Sequence, residues 1–199
     1  MLSLGITGSL GAGKSSAADY FRQLGAEIYD ADLEAKNLLL SSSELQDVVI
    51  QTFGDQVLDD TGGLDFKRLG RVAFATREEQ ARLNGIVHPV VVQSILEQIT
   101  MAGAAAVKLF VVDAPLLFEA HLEQLLDLTL VVNSREDIRI RRAMERGNLS
   151  EDEIRERMRL QLPNAEKVTR ADIVVNNNGT LEEFQAKLHK VYANLHLAD

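Results

Sequence analysis

The spacing of hydrophobic and polar positions divides the chain into alternating strand-like and helix-like stretches. Leu2 to Ile6 reads as a short buried strand. From about Lys14 to Leu24, the apolar positions Ala17, Ala18, Phe21 and Leu24 share one helical face, and Gly25 supplies the C-terminal stop. Ala26 to Tyr29 is a second short strand that runs into Asp30-Ala31-Asp32. From about Leu33 to Val92 the period is mostly helical, interrupted at 53–65 by FGDQVLDDTGGLD, a turn-rich stretch with room for a small hairpin. Thr76 with Glu79 predicts a capping box. Val107 to Asp113 (VKLFVVD) is a near-continuous β-branched and aromatic run, as expected of a central parallel strand, and Leu128 to Val132 repeats it. Two basic helical stretches follow, at 135–146 and 151–161; Ser150 and Glu153 cap the second, and Pro163 ends it. Ile173 to Val175 is a last strand, followed by NNNG and a helix opened by Thr180 and Glu183. No internal repeat, linker or low-complexity segment is found, and the alternation predicts a parallel α/β sheet with helices on both faces.

Composition narrows the partners. The chain has 199 residues, 46% hydrophobic and 26% charged, enough for one large domain with a sizeable core. Its formal charge is −9, which argues against non-specific binding to nucleic acid or to an anionic membrane. A polyanionic ligand must therefore enter a local pocket. Cysteine is absent, which excludes disulfides and thiolate chemistry. The apolar runs are too short to span a bilayer and no secretory signal is evident, so a cytoplasmic location is expected.

The chemistry starts at the amino-terminal end. Gly8-Ser9-Leu10-Gly11-Ala12-Gly13-Lys14-Ser15 fits G-x-x-x-x-G-K-[ST], between the first strand and first helix. Glycines let the backbone turn its N–H groups toward one anion, and the helix start adds its positive end. Lys14 then bridges the outer phosphates while the Ser15 hydroxyl ligates Mg²⁺. Such a loop leaves three classes open: a small-molecule kinase, a guanine-nucleotide switch and a motor or transporter ATPase. The N/T-K-x-D segment of a guanine-specific switch is absent. Asp113, at the end of VVD, either sits near Mg²⁺ or simply caps the strand end. A kinase must exclude water from ATP. Residues 135–161 carry eight arginines and no lysine, suited to a lid over phosphates; interleaved acids leave a solvated, ion-paired face as the plain alternative. Asp32, after the second strand, is the candidate base for an acceptor hydroxyl.

The motifs also resemble a known family. GITGSLGAGKSS, DAD at 30–32, FGDQVLDDTGGLD, HP at 88–89, PLLFE at 115–119, RRAMER at 141–146, RMRLQ at 157–161 and ADIVVNNNG at 171–179 occur in the order and spacing of dephospho-CoA kinases, over nearly the whole chain. The resemblance implies a three-layer P-loop NTPase fold within one domain. It would have a five-stranded parallel sheet, a helical substrate-binding insertion at about 33–92 and a helical lid at about 135–163. It implies MgATP-dependent phosphorylation of the ribose 3′-hydroxyl of dephospho-coenzyme A, the last step of coenzyme A synthesis. The small-molecule partners would be ATP and dephospho-CoA. By position it assigns Gly11, Ala12, Gly13, Lys14, Ser15 and Ser16 to the ATP phosphates, with Ser15 on the metal. Asp32 becomes the catalytic carboxylate, and His88 and Pro89 lie near the substrate pocket, although a helix-entry histidine is the plain alternative. Arg142 and Arg146 become lid arginines, and Asn177 with Gly179 a loop that reads adenine through its backbone. Three departures stand out: Glu34-Ala35-Lys36 replaces the usual Ile-Ala-Arg, Leu64-Asp65-Phe66 replaces an LDR step, and Arg139 replaces a glutamine. Arg68 or Arg71 is expected to compensate for the lost basic groups. The main competitor is another small P-loop kinase, of a nucleoside monophosphate or an alcohol such as shikimate.

Overall fold

A computed structural model describes residues 1–147 and 149–197; Asn148, inside the expected lid, lies outside them. Five parallel strands form one sheet in the order β2-β3-β1-β4-β5. They are β1 (Leu2–Thr7), β2 (Glu27–Asp30), β3 (Leu109–Asp113), β4 (Leu128–Asn133) and β5 (Ile173–Asn176). The three inner strands are buried along most of their length, and β3 reads as a near-continuous apolar run, while in β1 and β4 small polar residues are buried with the apolar ones. β2 and β5 lie at the edges and are more exposed, each with one buried residue, Tyr29 and Val175. Strand entry is fixed twice by one device. Asp127 accepts the Ser3 N–H and hydroxyl at 2.8 and 2.7 Å, and Asp172 accepts the same pair of groups from Thr129 at 2.8 and 2.7 Å.

The chain divides into two compact units, Met1–Ala31 with the chain from Ile95 onward, and Asp32–Ser94. In the first, the sheet buries Leu4, Ile6, Val111 and Val132 against Phe21 of α1 (Lys14–Gln23) and Phe184 and Leu188 of α9 (Leu181–Asn194). Helix α1 stops as the sequence predicts, with Gly25 at φ +91°. The predicted capping box at Thr180 and Glu183 opens α9. Helices α6 (Glu136–Glu145) and α7 (Glu151–Arg159) form an arm with its own small core: Ile140, Ala143 and Ile154 pack with Leu10 and Met158. The Ser150–Glu153 box caps α7 as expected.

The second unit is helical. It contains most of α2 (Ala31–Ser41), α3 (Ser43–Phe53), α4 (Phe66–Ala73) and the first part of α5 (Arg77–Ala104). Val49, Phe53, Val57, Leu69 and Ala73 form its core. The hairpin expected at 53–65 shrinks to one antiparallel bridge, Leu58–Leu64. Asp59 drives this by accepting the Thr61 and Gly63 N–H groups at 2.8 and 2.9 Å, a side-chain turn that leaves no length for strands. Thr76 caps Glu79 N–H at 3.1 Å, while the Glu79 carboxylate pairs with Arg82. No helix among the described residues is long and apolar enough to cross a membrane.

Candidate active site

Register brings the chemistry to one edge of the first unit. Ile6 pairs with Asp113, and Asp113 pairs with Asp30, so the carboxyl ends of β1, β3 and β2 lie side by side. Open parallel sheets bind ligands at that edge.

The loop Gly8–Gly13 leaves β1 there and feeds α1. Ala12 N–H donates to Ser9 carbonyl at 3.0 Å, and Ala17 N–H begins the helical ladder on Gly13 carbonyl at 3.1 Å. Two glycines are required twice over. Gly11 (φ +79°) lies against the Arg139 backbone carbonyl, and Gly13 (φ +105°) lies against the Asn177 side-chain amide. A Cβ at either position would overlap those atoms, and the left-handed backbone disfavours any other residue. On the outer side, Asn177 Nδ2 donates to Ala12 carbonyl at 2.8 Å in a buried bond. Ser9 hydroxyl donates to Asn164 Oδ1 at 3.2 Å. The Asn177 side chain thus holds the loop, and its backbone carbonyl remains the acceptor for Arg142.

Lys14 Nζ lies 3.6 Å from Asp113 Oδ1, at ion-pair distance but beyond a hydrogen bond. Burial pushes the Asp113 carboxyl up from its ordinary value; Lys14 opposes this and Asp30 adds to it. Asp113 Oδ1 is buried without a hydrogen-bond partner among the described residues. The site therefore pairs the Lys14 cation with a buried oxygen that no hydrogen bond satisfies, at the mouth of an anion-binding loop. Ser15, in the first turn of α1, is exposed.

The arginine-rich arm separates into two populations. Arg135 pairs with Asp137, Arg141 with Glu145, Arg155 with Glu136 and Glu151, and Arg159 with Glu156, all on the surface. Arg139 and Arg142 turn inward. Arg139 is only 7% exposed and donates from Nε to Ser134 carbonyl at 3.1 Å; burial, partly offset by Glu136, lowers its pKa. Arg142 donates to Asn177 carbonyl at 3.0 Å and reaches Gly179 carbonyl at 3.5 Å. The structure thus gathers Gly11 to Lys14, Arg142, Asn177 and Gly179 around one edge. Arg146 stands exposed at the C-terminal cap of α6.

The remaining expected residues belong to the second unit. Asp32 is exposed in the first turn of α2, two residues beyond Asp30. His88 and Pro89 lie inside α5, so the helix-entry alternative for His88 is corrected: the helix began at Arg77 and continues through the proline. Arg68 is engaged within its own unit, with Leu58 carbonyl, Asp60 and Asp65. Arg71 lies in the last turn of α4.

Sequence reasoning missed α8 (Asn164–Arg170). This short helix supplies Asn164, whose Nδ2 donates to Asn133 Oδ1 at 2.6 Å, and the fully buried Lys167. The residue-level signal was Glu119 of PLLFE, an acid in an apolar stretch; it lies 2.9 Å from Lys167.

The dephospho-CoA kinase family profile matches residues 2–183. The chain belongs to the dephospho-CoA kinase family. A Geobacillus kaustophilus dephospho-CoA kinase is 40% identical over 187 residues, covering 94% of this chain and 93% of that protein. A Thermus thermophilus crystal structure superposes with TM-score 0.81 at 34% identity, covering 98% of this chain and 97% of that one. The Campylobacter jejuni dephospho-CoA kinase gives TM-score 0.69 at 27% identity, with 97% and 96% covered. Membership in the dephospho-CoA kinase family makes the chain an ATP-dependent kinase of a small molecule. The glycine loop and its lysine are the parts of the site that such a donor requires.

Proposed function

We propose that this chain transfers the γ-phosphoryl group of ATP to the ribose 3′-hydroxyl of dephospho-CoA, forming coenzyme A. The observation that carries the donor half is Lys14, poised between a glycine loop and the buried Asp113 carboxylate. With ATP in the loop, the N–H groups of Gly11 to Ser16 face the phosphates, and Lys14 moves from Asp113 to the β- and γ-oxygens. Arg142, already anchored on the Asn177 loop, adds positive charge from the arm side. Arg146, exposed at the end of α6, completes that contribution when the arm closes and excludes water. Asn177 and Gly179 provide the loop beside adenine.

The donor set fits Mg²⁺. A buried Asp113 oxygen lacks a donor, Ser15 offers a hydroxyl, and among the described residues no cluster of three or more acidic or histidine ligands competes for a metal. Mg²⁺ is held by one or two protein oxygens together with phosphate oxygens and water. Ser15 and Asp113 would hold it, and it would neutralise charge on the transferring phosphates.

Asp32 accepts the hydroxyl proton from the acceptor. Support for this is its place in the chain, two residues past the strand end that is in register with Asp113. His88 and Pro89 of α5, and the helical insertion at about 33–92 generally, contribute the acceptor side; the arm at about 135–163 is the lid. The reaction locates the protein with its ATP supply, in the cytoplasm.

The test offers dephospho-CoA, AMP, CMP and shikimate separately with MgATP, in a coupled ADP assay. Turnover with dephospho-CoA alone is expected, and preference for another acceptor would overturn the assignment. In Asp32→Asn, transfer should fall by about 10²–10⁴-fold while nucleotide binding persists. Near-parental turnover would remove Asp32 from the mechanism.

A further inference from the structure

Behind the glycine loop lies a buried charge pair that the reaction above leaves unused. Lys167, the fourth residue of α8, has a side chain with 0% exposure, and its Nζ lies 2.9 Å from Glu119 Oε1. The same ammonium donates to Pro115 carbonyl at 2.6 Å. Glu119 Oε1 also accepts the backbone N–H of Leu162 at 2.8 Å. Pro115 carbonyl accepts in addition the hydroxyl of Thr7, the last residue of β1, at 3.3 Å. Pro115 stands two residues beyond Asp113, and Leu162 stands three beyond the end of α7. One buried cation therefore joins the end of β1, the loop leaving β3 and the chain leaving the arm.

Stability does not explain this arrangement. Taking an ammonium and a carboxylate out of water costs several kcal/mol per ion, and an apolar pair of similar volume commonly serves a fold as well or better. Burial pulls the Lys167 pKa down, Glu119 opposes the shift, and Lys14 adds a like-charge push in the same direction as burial. The pair is also incompletely bonded: Glu119 Oε2 is buried without a hydrogen-bond partner among the described residues. A half-satisfied polar cluster is a poor way to hold a core together. What it does that an apolar pair cannot do is hold a particular carbonyl and a particular amide at fixed points.

We propose that Lys167 and Glu119 are positioning residues for phosphoryl transfer, pinning the arm's exit at Leu162 to the loop that follows Asp113. Neither side chain reaches the reactants. Their effect passes through Pro115 to the Asp113 carboxylate, and through Leu162 to the angle at which α6 and α7 approach the nucleotide. The inference rests on the proposed reaction, in which the arm closes over ATP and Asp113 faces the phosphates.

Four variants test it: Lys167→Met, Glu119→Gln, the double variant E119Q/K167M, and Leu162→Pro. The last deletes the N–H that Glu119 accepts, together with the leucine side chain and the backbone freedom at 161 and 162. Melting temperature and steady-state kinetics with MgATP and dephospho-CoA are measured for each. Each single charge deletion should lower the melting temperature, and the double variant should recover most of that loss, since no unpaired charge stays buried. The double variant's kcat should nonetheless remain roughly 10- to 100-fold below the parent's, with both KM values within about twofold. Leu162→Pro should likewise lose kcat. A double variant whose kcat recovers together with its stability would overturn the proposal, as would parental kcat in Leu162→Pro. If the single variants do not fold, these two decide the matter. A parent that leaves dephospho-CoA unphosphorylated would sink the assigned reaction instead. The pair is then judged by trypsin cleavage in α7 with and without ATP: weaker nucleotide protection in the double variant supports the anchor, and equal protection ends it.

Discussion

The glycine-loop edge and the α6–α7 arm both advertise themselves in the sequence by density of charge or glycine, yet the structure uses them differently. At the loop edge the unusual residues are committed: Gly11 and Gly13 are closed in by Arg139 and Asn177, and Lys14 faces a buried carboxylate. On the arm, Arg135, Arg141, Arg155 and Arg159 pair with neighbouring acids in water, as a solvated helix face does. Arg139 and Arg142 leave that pattern and turn inward. A count of arginines thus measures solubility as much as phosphate chemistry, whereas burial with a defined partner marks the residues that matter.

That contrast can be broken by substitution. Lys14→Ala removes the cation that the loop presents to the phosphates; phosphoryl transfer should fall by about 10²–10³-fold, with nucleotide affinity also reduced. Retention of most activity would mean that the loop, not its lysine, supplies the stabilisation. Gly11→Ala should destabilise the fold by about 1–3 kcal/mol through backbone strain, and by more if α6 cannot retreat. Urea unfolding would read this, and an unchanged midpoint would contradict the closeness of loop and arm. Arg142→Ala should raise the KM for ATP by about tenfold, the equivalent of one charged hydrogen bond, with a smaller change in the KM for the acceptor. Replacing Arg135, Arg141 and Arg159 together by glutamine should change kcat by no more than about twofold. A large loss there would collapse the distinction between the two populations.

The smallest effect is a pH dependence in the second unit. Hydrogen bonds from Thr61 and Gly63 hold the Asp59 carboxyl below its ordinary value of 3.8. A carboxyl depressed on folding contributes stability above its unfolded pKa and loses that contribution as pH falls through the folded one. The melting temperature of parent and Asp59→Asn should therefore differ most at neutral pH and converge in acid below 3.8. A constant gap would show that the turn is held by shape alone.

The strands were legible because a parallel sheet covered on both faces demands apolar runs, near-continuous in β3 and in most of β4, and interrupted only by small residues in β1. The caps at Ser150 and Thr180 were legible because their chemistry spans only three residues. The glycine loop was legible because its spacing is set by a ligand. Helix α8 was not: seven residues carry too little periodicity to register, and Lys167 in isolation looks like any surface lysine. Its burial is decided by Glu119 and Pro115, which are remote in sequence. The Asn177 side-chain bond was hidden for the same reason, since NNNG resembles a turn until the fold sets its amide against Ala12.

Where Gly11 meets α6, the touching atoms on the arm belong to the main chain of Arg139 and not to its side chain. The seam itself therefore does not depend on which side chain stands at 139, although burial holds the arginine there to the Ser134 carbonyl, while position 11 is locked. Backbone pressed on backbone also makes a stiff mechanical joint, with no intervening side chain between the cradle and the arm to absorb a displacement of either.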